Sequence, residues 1–271
     1  MRHRRGLAEL RRLGRPAIGT WSQIASPEAV DLVAGAGFDF TVVDCEHGAF
    51  GLETAENLIR ACDANAIVPM IRAPSHDPGW ISRALDAGAC AVIVPNARTA
   101  EEVRAAVSGT RFGARGRRGA CPCVAAADQY TRDWPSFEAE QNERDQIIVL
   151  VETPEAVACL EEICAVDGVA AVALGPFDLS VTYGRGGDFR NPELVAALER
   201  TIAVAQAAGV AIMAPMLGMD PAHVRIQAAS YAARGVEFLT VGTDKMLFAE
   251  GLRTYATALQ GERKAAVSAA A

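Results

Sequence analysis

The sequence predicts a single (β/α)8 barrel, and three observations lead to that prediction. Eight short, almost continuously apolar runs recur along the 271 residues, as expected of parallel strands that are buried on both faces. Amphipathic stretches with clear helix starts and ends separate these runs, and no linker-like change in composition divides the chain. The predicted strands are residues 17–21, 40–45, 67–72, 91–95, 147–152, 170–174, 210–215 and 238–242.

Five of the helices between these strands have the same start signal, a capping residue followed by proline. The oxygen of the capping side chain can accept a hydrogen bond from a free N–H of the first turn, and proline is tolerated at a position whose N–H is unused. These pairs are Ser26-Pro27, Asp77-Pro78, Thr153-Pro154, Asn191-Pro192 and Asp220-Pro221. A glycine suited to a left-handed helix end stands just before the following strand at Gly37, Gly88, Gly168, Gly209 and Gly235.

Three segments fall outside this alternation. Residues 1–16 predict a helical amino-terminal extension, and the alanine-rich residues 261–271 predict a disordered tail. The insertion 108–146, between the fourth and fifth strands, is too long for an ordinary loop. It contains the glycine- and arginine-rich stretch 113–119 and the aromatic residues Tyr130 and Trp134. We expect it to form a lid, a subunit contact or both.

The composition argues against two classes of protein and indicates a cellular compartment. With 33 acidic and 26 basic residues the net charge is −7, whereas a nucleic-acid-binding protein normally has a basic face. No apolar run approaches the ~20 residues needed to span a bilayer. The seven cysteines are scattered and include no C-x-x-C pair, which favours a reducing compartment, the cytoplasm by default. Cys121-Pro-Cys123 is a possible redox or metal pair, but small loop residues are the favoured interpretation.

Catalytic residues of such barrels lie on the loops that follow the carboxyl ends of the strands. Reading those positions gives five carboxylates, one histidine and one arginine directed at one end of the barrel, which we call the mouth. The polar and large residues expected there are Trp21, Asp44, Glu46, His47, Arg72, Asn96, Glu152, Asp178, Met216, Asp244 and Lys245.

Glu152 and Asp178 are the candidate metal ligands. Neighbouring strands lie about 4.8 Å apart, so carboxylates after the fifth and sixth strands can share a cation. Two carboxylates without histidine or thiolate partners suit a hard ion such as Mg2+ or Mn2+. In the alternative interpretation each carboxylate caps the helix that follows it, although Thr153-Pro154 makes that role partly redundant for Glu152.

His47 and Arg72 are the candidates for proton transfer and for anion binding. Asp44 lies close enough in sequence to fix the tautomer of the His47 ring, which leaves the other nitrogen free to move a proton. A loop histidine bonded to backbone carbonyls is the alternative. Arg72 offers a planar fork of donors for a carboxylate or an enolate oxygen, with a structural salt bridge to Glu46 or Asp44 as the competing explanation.

The remaining candidates receive no chemical role. His3, His76 and His223 lie in segments predicted to be helical or amino-terminal. A Schiff base on Lys245 is disfavoured because the adjacent Asp244 stabilises the charged amine, whereas this chemistry needs a neutral one. Residues 184–187 and 113–119 are glycine-rich but match neither the P-loop nor the dinucleotide pattern, so mobile loops are the favoured interpretation.

These motifs together resemble the HpcH/HpaI class II pyruvate aldolase family, which is related to the citrate lyase β subunit. The resemblance extends from Gly19-Thr-Trp-Ser22 to about Leu252. Its most specific parts are Asp44-Cys-Glu-His-Gly48, Ile71-Arg-Ala73, Arg118-Gly119, Val151-Glu152, Gly175-Pro-Phe-Asp-Leu-Ser180 and Val241-Gly-Thr-Asp244.

The resemblance implies a role for each site residue. His47 matches the catalytic base, Asp44 its orienting partner, and Arg72 the arginine that contacts the pyruvyl oxygen. Glu152 and Asp178 match the ligands of a divalent ion (Mg2+ or Mn2+, with Co2+ or Zn2+ as other options), and Glu46 lies near its water shell. Residues expected to line the substrate pocket are Trp21, Leu150, Gly175 and Pro176. The family also suggests a hexamer in which neighbouring subunits exchange a terminal helix.

The chain departs from the family pattern at two positions. Leu150 stands where similar aldolases usually carry a glutamine that helps to hold the substrate, and Phe177 is bulky where some relatives have alanine. The expected reaction is reversible cleavage of a 4-hydroxy-2-oxo acid to pyruvate and an aldehyde through a metal-stabilised pyruvate enolate. The alternatives are a related lyase acting on a CoA thioester and a non-catalytic barrel that binds 2-oxo acids.

Overall fold

A computed structural model of the chain describes residues 6–144, 146–218 and 220–269, with side chains described as far as residue 260. Eight parallel strands close into a barrel in which each strand pairs with its neighbours in sequence and β1 pairs with β8. The predicted (β/α)8 fold is confirmed. The strands are β1 Ala17–Ser22, β2 Phe40–Asp44, β3 Val68–Arg72, β4 Ala91–Val94, β5 Ile147–Val151, β6 Val169–Leu174, β7 Ala211–Met216 and β8 Phe238–Thr243.

Helices follow the strands around the outside of the barrel. They are α1 Leu7–Arg11, α2 Pro27–Gly35, α3 Leu52–Asn65, α4 Pro78–Asp86, α5 Ala100–Ser108, α6 Trp134–Asn142, α7 Pro154–Ala158, α8 Leu160–Cys164, α9 Pro176–Thr182, α10 Pro192–Ala208, α11 Pro221–Ala233 and α12 Asp244–Ala269. Each of the five predicted capping side chains accepts a hydrogen bond from a backbone N–H of its helix. The five predicted glycines all have φ between 68° and 105°, so both predictions of helix ends are confirmed.

Apolar side chains pack on both faces of the sheet. The outward face packs under the helices, and the inward face fills the barrel with residues such as Met70, Ile148 and Leu150. Phe40 and Phe238 meet edge to face inside, with ring centroids 6.2 Å apart. A Cβ at Gly19 would lie 2.2 Å from the Phe40 ring, so only glycine fits beside it. The packed interior supports the mouth from below.

The insertion between α5 and β5 lies beside and beneath the barrel. Its α6 shares a cavity of about 410 Å3 with α1 and the starts of several strands, and residues 123–129 face α3 and α4. This placement does not match a lid over the chain's own mouth, because the insertion joins the end of a helix to the start of a strand, and both are at the amino-terminal end of the barrel. A subunit contact through the insertion stays a prediction.

The sequence makes a prediction for each end of the chain, a helical extension at the amino terminus and a disordered tail at the carboxyl terminus. Helix α1 is the described part of the predicted amino-terminal extension, and residues 1–5 lie outside the described residues. The sequence predicts a disordered tail over 261–271, whereas the backbone of α12 continues to Ala269, in keeping with the high helix propensity of alanine. Residues 270–271 are not described. Within the described ranges, no helix combines the length and the apolar character needed to cross a membrane.

Candidate active site

Asp44 and Arg72 form a buried ion pair at the centre of the mouth. They are the last residues of β2 and β3 and stand opposite each other in the strand register. Arg72 Nε donates to Asp44 Oδ1 at 2.9 Å, and Arg72 Nη2 donates to Oδ2 at 2.6 Å. Parallel double hydrogen bonds of this kind fix the orientation of both groups. Arg72 retains 9% exposure, and Asp44 is fully buried.

Two further residues hold the Arg72 guanidinium. Its Nη1 lies 3.1 Å from Glu46 Oε2, and its Cζ lies 4.5 Å from the centroid of the Trp21 ring. Both salt bridges considered in the sequence analysis are therefore present. The aromatic face and the two carboxylates leave the guanidinium little freedom to move.

Asp44 contacts the backbone of His47 and not its ring. The Oδ1 atom accepts hydrogen bonds from the backbone N–H groups of Glu46 and His47, each at 3.2 Å. Among the described hydrogen bonds none joins Asp44 to the imidazole, so the predicted pairing of these two side chains is not among the contacts that the structure shows. The physical reason is competition, because Arg72, the loop N–H groups and Gln23 already use both carboxylate oxygens.

The electrostatics of Asp44 follow from these contacts. Burial raises the pKa of the Asp44 carboxyl, but the hydrogen bonds and the charge of Arg72, with smaller contributions from Gln23 and the His47 N–H, outweigh burial. The net pKa lies below its usual value, and Asp44 remains ionised. His47 itself is exposed on the loop beside Glu46, and its catalytic role stays a prediction.

Three carboxylates at the mouth, those of Glu46, Glu152 and Asp178, lie near enough to act on one another electrostatically. Glu152 directly follows β5, is 5% exposed, and accepts a hydrogen bond from the Asn96 N–H at 2.7 Å. Asp178 lies in the first turn of α9 and is exposed. Burial raises the pKa of Glu152 to about 7, and the charges of Asp178 and Glu46 push it in the same direction. Burial is also the main reason that the pKa of Glu46 is raised.

The hydrogen bonds show that Glu152 does not cap the helix that follows it. Thr153 caps α7 by accepting a hydrogen bond from the Ala156 N–H at 3.2 Å. The Glu152 carboxylate instead reaches across to Asn96, which has the left-handed φ of 55°. Such a backbone conformation is uncommon outside glycine, and here the Asn96 N–H donates to the Glu152 carboxylate.

The carboxylates at the mouth fit a hard divalent cation. Within the described part of the chain, no group of three or more His, Cys, Asp or Glu side chains has metal-binding geometry. The carboxylate pair is nevertheless the donor set that such ions prefer, with water and substrate oxygens completing the shell. Glu46 Oε2 is buried without a well-directed hydrogen bond, and Glu152 has a raised pKa. A positive charge between them would interact favourably with the Glu46 oxygen and would lower the pKa of Glu152.

Gly175 allows the chain to pass close to Glu152. A Cβ on Gly175 would lie 2.5 Å from Glu152 Cβ and 3.1 Å from the Val151 carbonyl oxygen. We expect Gly175→Ala to lower the free energy of unfolding by about 1–3 kcal/mol, as overpacking does, and to weaken Mn2+ binding by displacing Glu152. Gly35→Ala is the control, because nothing lies within 4 Å of its added Cβ. Equal stability and equal Mn2+ affinity in both variants would contradict the prediction.

The raised pKa of Glu152 predicts that the free energy of unfolding depends on pH when a chelator keeps the protein free of metal. The native carboxyl keeps a proton between pH 4.5 and about 7 that the unfolded chain releases. The free energy of unfolding should therefore fall as pH rises through this interval, by up to about 1.4 kcal/mol per pH unit for one proton. Urea unfolding should show a flatter dependence for Glu152→Gln and an unchanged one for Glu155→Gln, whose carboxylate is exposed on α7. Identical slopes in wild type and Glu152→Gln would refute this assignment.

Of the candidates that received no chemical role, His76 is placed differently from expectation. His76, predicted to be helical, lies in the loop between β3 and α4, because the helix begins only at Pro78 after its Asp77 cap. Lys245 is exposed, and its backbone N–H, like those of Gln23 and Ile24, donates to the buried Asp244 carboxylate. His223 is helical as predicted, and His3 lies outside the described residues.

The structure adds Gln23 to the site, which sequence reasoning missed. Its amide donates to Asp44 Oδ2 at 2.7 Å. The available signal was its position just after the end of β1. Of the predicted pocket residues, Leu150 is buried inside the barrel, on the same strand face as Glu152. Pro176 is buried beside the exposed Phe177.

The fold and the site define a (β/α)8-barrel protein whose candidate active site is a charged cluster at the carboxyl-terminal mouth, as in enzymes of this architecture. The chain belongs to the HpcH/HpaI aldolase/citrate lyase family, whose model matches residues 17–251. The resemblance seen in the motifs is thereby confirmed, and with it the broad class of carbon–carbon lyase.

Individual relatives agree with this assignment. A 4-hydroxy-2-oxo-heptane-1,7-dioate aldolase of Salmonella arizonae is 36% identical over 251 residues, which are 93% of each chain. The crystal structure of a family protein from Burkholderia cenocepacia J2315 is 32% identical with a TM-score of 0.82, covering 94% of this chain and 98% of that one. The citrate lyase beta subunit from M. tuberculosis, complexed with oxaloacetate and magnesium, has a TM-score of 0.59 over 88% of this chain and 96% of that one. At 20% identity it shares the fold alone.

Proposed function

We propose that the protein is a metal-dependent aldolase that reversibly cleaves a 4-hydroxy-2-oxo acid to pyruvate and an aldehyde. One observation carries the proposal: a guanidinium locked by Asp44 lies at the same mouth as Glu152 and Asp178, and the charges of Arg72 and Asp178 both act on the Glu152 carboxyl. This arrangement has a fixed cation and anionic ligands for a second cation. The name of the Salmonella arizonae relative supports the substrate class.

Arg72 stabilises the negative charge that develops when the C3–C4 bond breaks. The charge collects on the pyruvate enolate oxygen, and a preorganised donor in a site with little water stabilises it without reorganising. Asp44, Glu46 and Trp21 hold the donor before substrate arrives. Trp21, Leu150, Gly175 and Pro176 line the pyruvyl side of the pocket.

Glu152 and Asp178 would hold Mg2+ or Mn2+, with Co2+ or Zn2+ as other ions of suitable charge, and Glu46 would lie near the water shell. When bound, the cation supplies positive charge that makes the electron-rich pyruvyl fragment less costly. Holding it would also keep Glu152 ionised at neutral pH, since the raised pKa of this carboxyl reflects burial among other carboxylates.

His47 is the proposed base. Its exposure on the loop after β2 allows the ring to reach a bound hydroxyl or an intervening water. In cleavage it accepts the proton of the C4 hydroxyl, and in synthesis it returns that proton. Without a ring contact to Asp44, the orientation of the imidazole depends on the backbone of its loop, which Asp44 fixes through two N–H groups.

We also infer that the protein forms a homo-oligomer, with a hexamer as the family suggests. Helix α12 carries four exposed apolar side chains at helical spacing, and a stripe of that kind marks an interaction surface. They are Phe248, Leu252, Tyr255 and Leu259. All seven cysteines are free thiols, which supports a cytoplasmic location.

A cleavage screen tests the function. Acidic, sugar-derived and aliphatic 4-hydroxy-2-oxo acids are incubated with and without Mg2+ or Mn2+, and pyruvate release is measured. We expect pyruvate from at least one class, loss of activity after chelation and recovery with the metal. In parallel, the protein should exchange the methyl protons of pyruvate in D2O. Saturable cleavage of acyl-CoA substrates alone, or pyruvate binding with neither exchange nor cleavage, would overturn the proposal.

A further inference from the structure

Gln23 sits at the junction of the two networks that hold the mouth together. We propose that its side-chain amide is a positioning group for Arg72, acting through the Asp44 carboxylate. The inference rests on the proposed function of Arg72 and adds a residue that lies outside the motifs of the family resemblance. Gln23 need not touch the substrate to act in this way.

The contact between Gln23 and Asp44 is short and difficult to replace. Gln23 Nε2 lies 2.7 Å from Asp44 Oδ2, and a carboxylate can only accept, so the amide must present its nitrogen. Because Asp44 is fully buried, no bulk water can take the place of a lost donor. Hydrogen bonds to ionised groups are among the stronger ones in proteins.

Gln23 shares its acceptor atom with the arginine. Asp44 Oδ2 accepts from Gln23 and from Arg72 Nη2, whereas Oδ1 accepts from Arg72 Nε and from two backbone N–H groups. The Oδ1 side is therefore fixed by the loop, and Gln23 fixes the Oδ2 side. Without Gln23 the carboxylate can rotate about its Cβ–Cγ bond, and Arg72 can turn toward Glu46, 3.1 Å from its Nη1.

The backbone of Gln23 is itself held in place. The Asp244 carboxylate, 7% exposed, accepts from the Gln23 N–H at 2.9 Å and from the Ile24 N–H at 2.9 Å. Asp244 follows β8, the strand that pairs with β1 to close the barrel. Barrel closure thus fixes the position of Gln23. Gln23 in turn fixes the orientation of the Asp44 carboxylate, and Asp44 fixes the orientation of the Arg72 guanidinium. A residue anchored in this way loses little additional freedom in making its side-chain bond.

The test uses Gln23→Met, which keeps an unbranched side chain of similar length and removes the donor. We expect the rate of pyruvate methyl-proton exchange to fall about 10-fold, the lower end of the loss seen when hydrogen-bond partners that orient metal ligands are removed. The loss should appear in kcat, with KM within about twofold, because Arg72 acts on charge that develops in the transition state.

Gln141→Met is the matched control. Gln141 accepts a hydrogen bond at 3.2 Å from Arg118, a second buried arginine, which is paired with Asp86 away from the mouth. This variant also removes a buried amide beside an Arg–Asp pair, and it should keep the wild-type exchange rate per folded molecule. Equal losses of exchange in both variants would mean that Gln23 has only a structural role, and the proposal would fail.

A double-mutant cycle with Asp44→Asn tests whether Gln23 acts on Arg72 through Asp44. If Gln23 acts through Asp44, then Gln23→Met should cause little further loss in the Asp44→Asn background. A full 10-fold loss in that background would show that Gln23 acts independently of Asp44, and would overturn the inference.

A measurement that does not depend on catalysis tests this inference separately from the proposed function. In protein labelled with 15N-arginine, the Nε–H signal of Arg72 is identified by its absence in Arg72→Lys. We expect its hydrogen exchange to accelerate at least about 10-fold in Gln23→Met and to stay unchanged in Gln141→Met. Unchanged exchange in Gln23→Met would refute the positioning role. A wild-type protein that fails to exchange pyruvate protons would count against the proposed function, and the Arg72 signal would still decide the role of Gln23.

Discussion

Replacing Arg72 with methionine is expected to lower kcat/KM for aldol cleavage about 100- to 1,000-fold. Removing one donor to a developing oxyanion typically costs about 2.7–4 kcal/mol of transition-state stabilisation. Arg72 is the basic side chain that the structure holds at the mouth by a bidentate pair with Asp44. The measurement is steady-state cleavage of the best substrate from the screen, with metal at saturation.

The same substitution should also destabilise the fold, so the two effects must be separated. Asp44 would be left buried without its counter-ion, and breaking a buried pair from one side costs about 3–5 kcal/mol. Urea unfolding measures this loss, and activity is then expressed per folded molecule. Arg72→Lys should recover part of the stability and little of the activity, because an ammonium cannot reproduce the fork of donors.

Arg118 provides a matched control for Arg72. It is 4% exposed, pairs with Asp86 at 2.8 Å, and lies 4.6 Å from the centroid of the Phe112 ring. Both arginines are buried, and each pairs with an aspartate and lies against an aromatic ring, but Asp86 is partly exposed and only Arg72 is at the mouth. Arg118→Met should lose stability, by less than Arg72→Met because Asp86 keeps contact with water, and keep its activity per folded molecule. If both variants lose activity to the same extent, Arg72 has no specific catalytic role.

Glu152→Gln is expected to lower activity at least about 100-fold and to abolish its response to added Mg2+ or Mn2+. Metal ions contribute several kcal/mol of charge stabilisation in such reactions, and each 1.36 kcal/mol is a factor of ten in rate. An amide has the shape of the carboxylate but lacks the charge that a hard cation requires. Asp178→Asn should act in the same direction, since its carboxylate is the second of the pair.

Metal binding and activity are measured on the same preparations. Calorimetric titration with Mn2+ should show one site in wild type and a large loss of affinity in both variants. Glu155→Gln removes an exposed carboxylate three residues beyond Glu152 and should change neither affinity nor rate. Activity that survives exhaustive chelation in wild type would remove the metal role of Glu152 and Asp178.

The local elements of this fold were predictable because their causes are local. A strand buried on both faces requires an apolar run, and a helix start requires an oxygen for its free N–H groups, so Asp77-Pro78 and Asn191-Pro192 mark their helices without reference to the rest of the chain. Eightfold strand–helix alternation then favours a closed barrel, which the structure has. That barrel brings the ends of all strands together, which is why Asp44, Arg72 and Glu152 could be placed at one mouth in advance.

The partners of those residues could not be predicted in the same way. Sequence spacing suggested that Asp44 would orient the His47 ring, but the register of β2 and β3 puts Arg72 directly opposite, and the arginine is the stronger donor. Gln23 showed no motif, because its importance arises only when β1 pairs with β8. The sequence of the insertion did not show which helices it packs against, although its place between a helix and the next strand puts both of its ends at the amino-terminal end of the barrel.

What the sequence by itself determined is therefore the fold, the family and the set of residues at the mouth. The fold and the residues at the mouth depend on the period of apolar residues and on capping within a few positions along the chain, and the family is indicated by the resemblance of the motifs at the strand ends. What only the tertiary structure decided is which donor meets which acceptor, since each buried oxygen binds the donors that strand register and barrel closure bring within about 3 Å. A donor and its acceptor can be as distant in sequence as the Gln23 N–H and the Asp244 carboxylate.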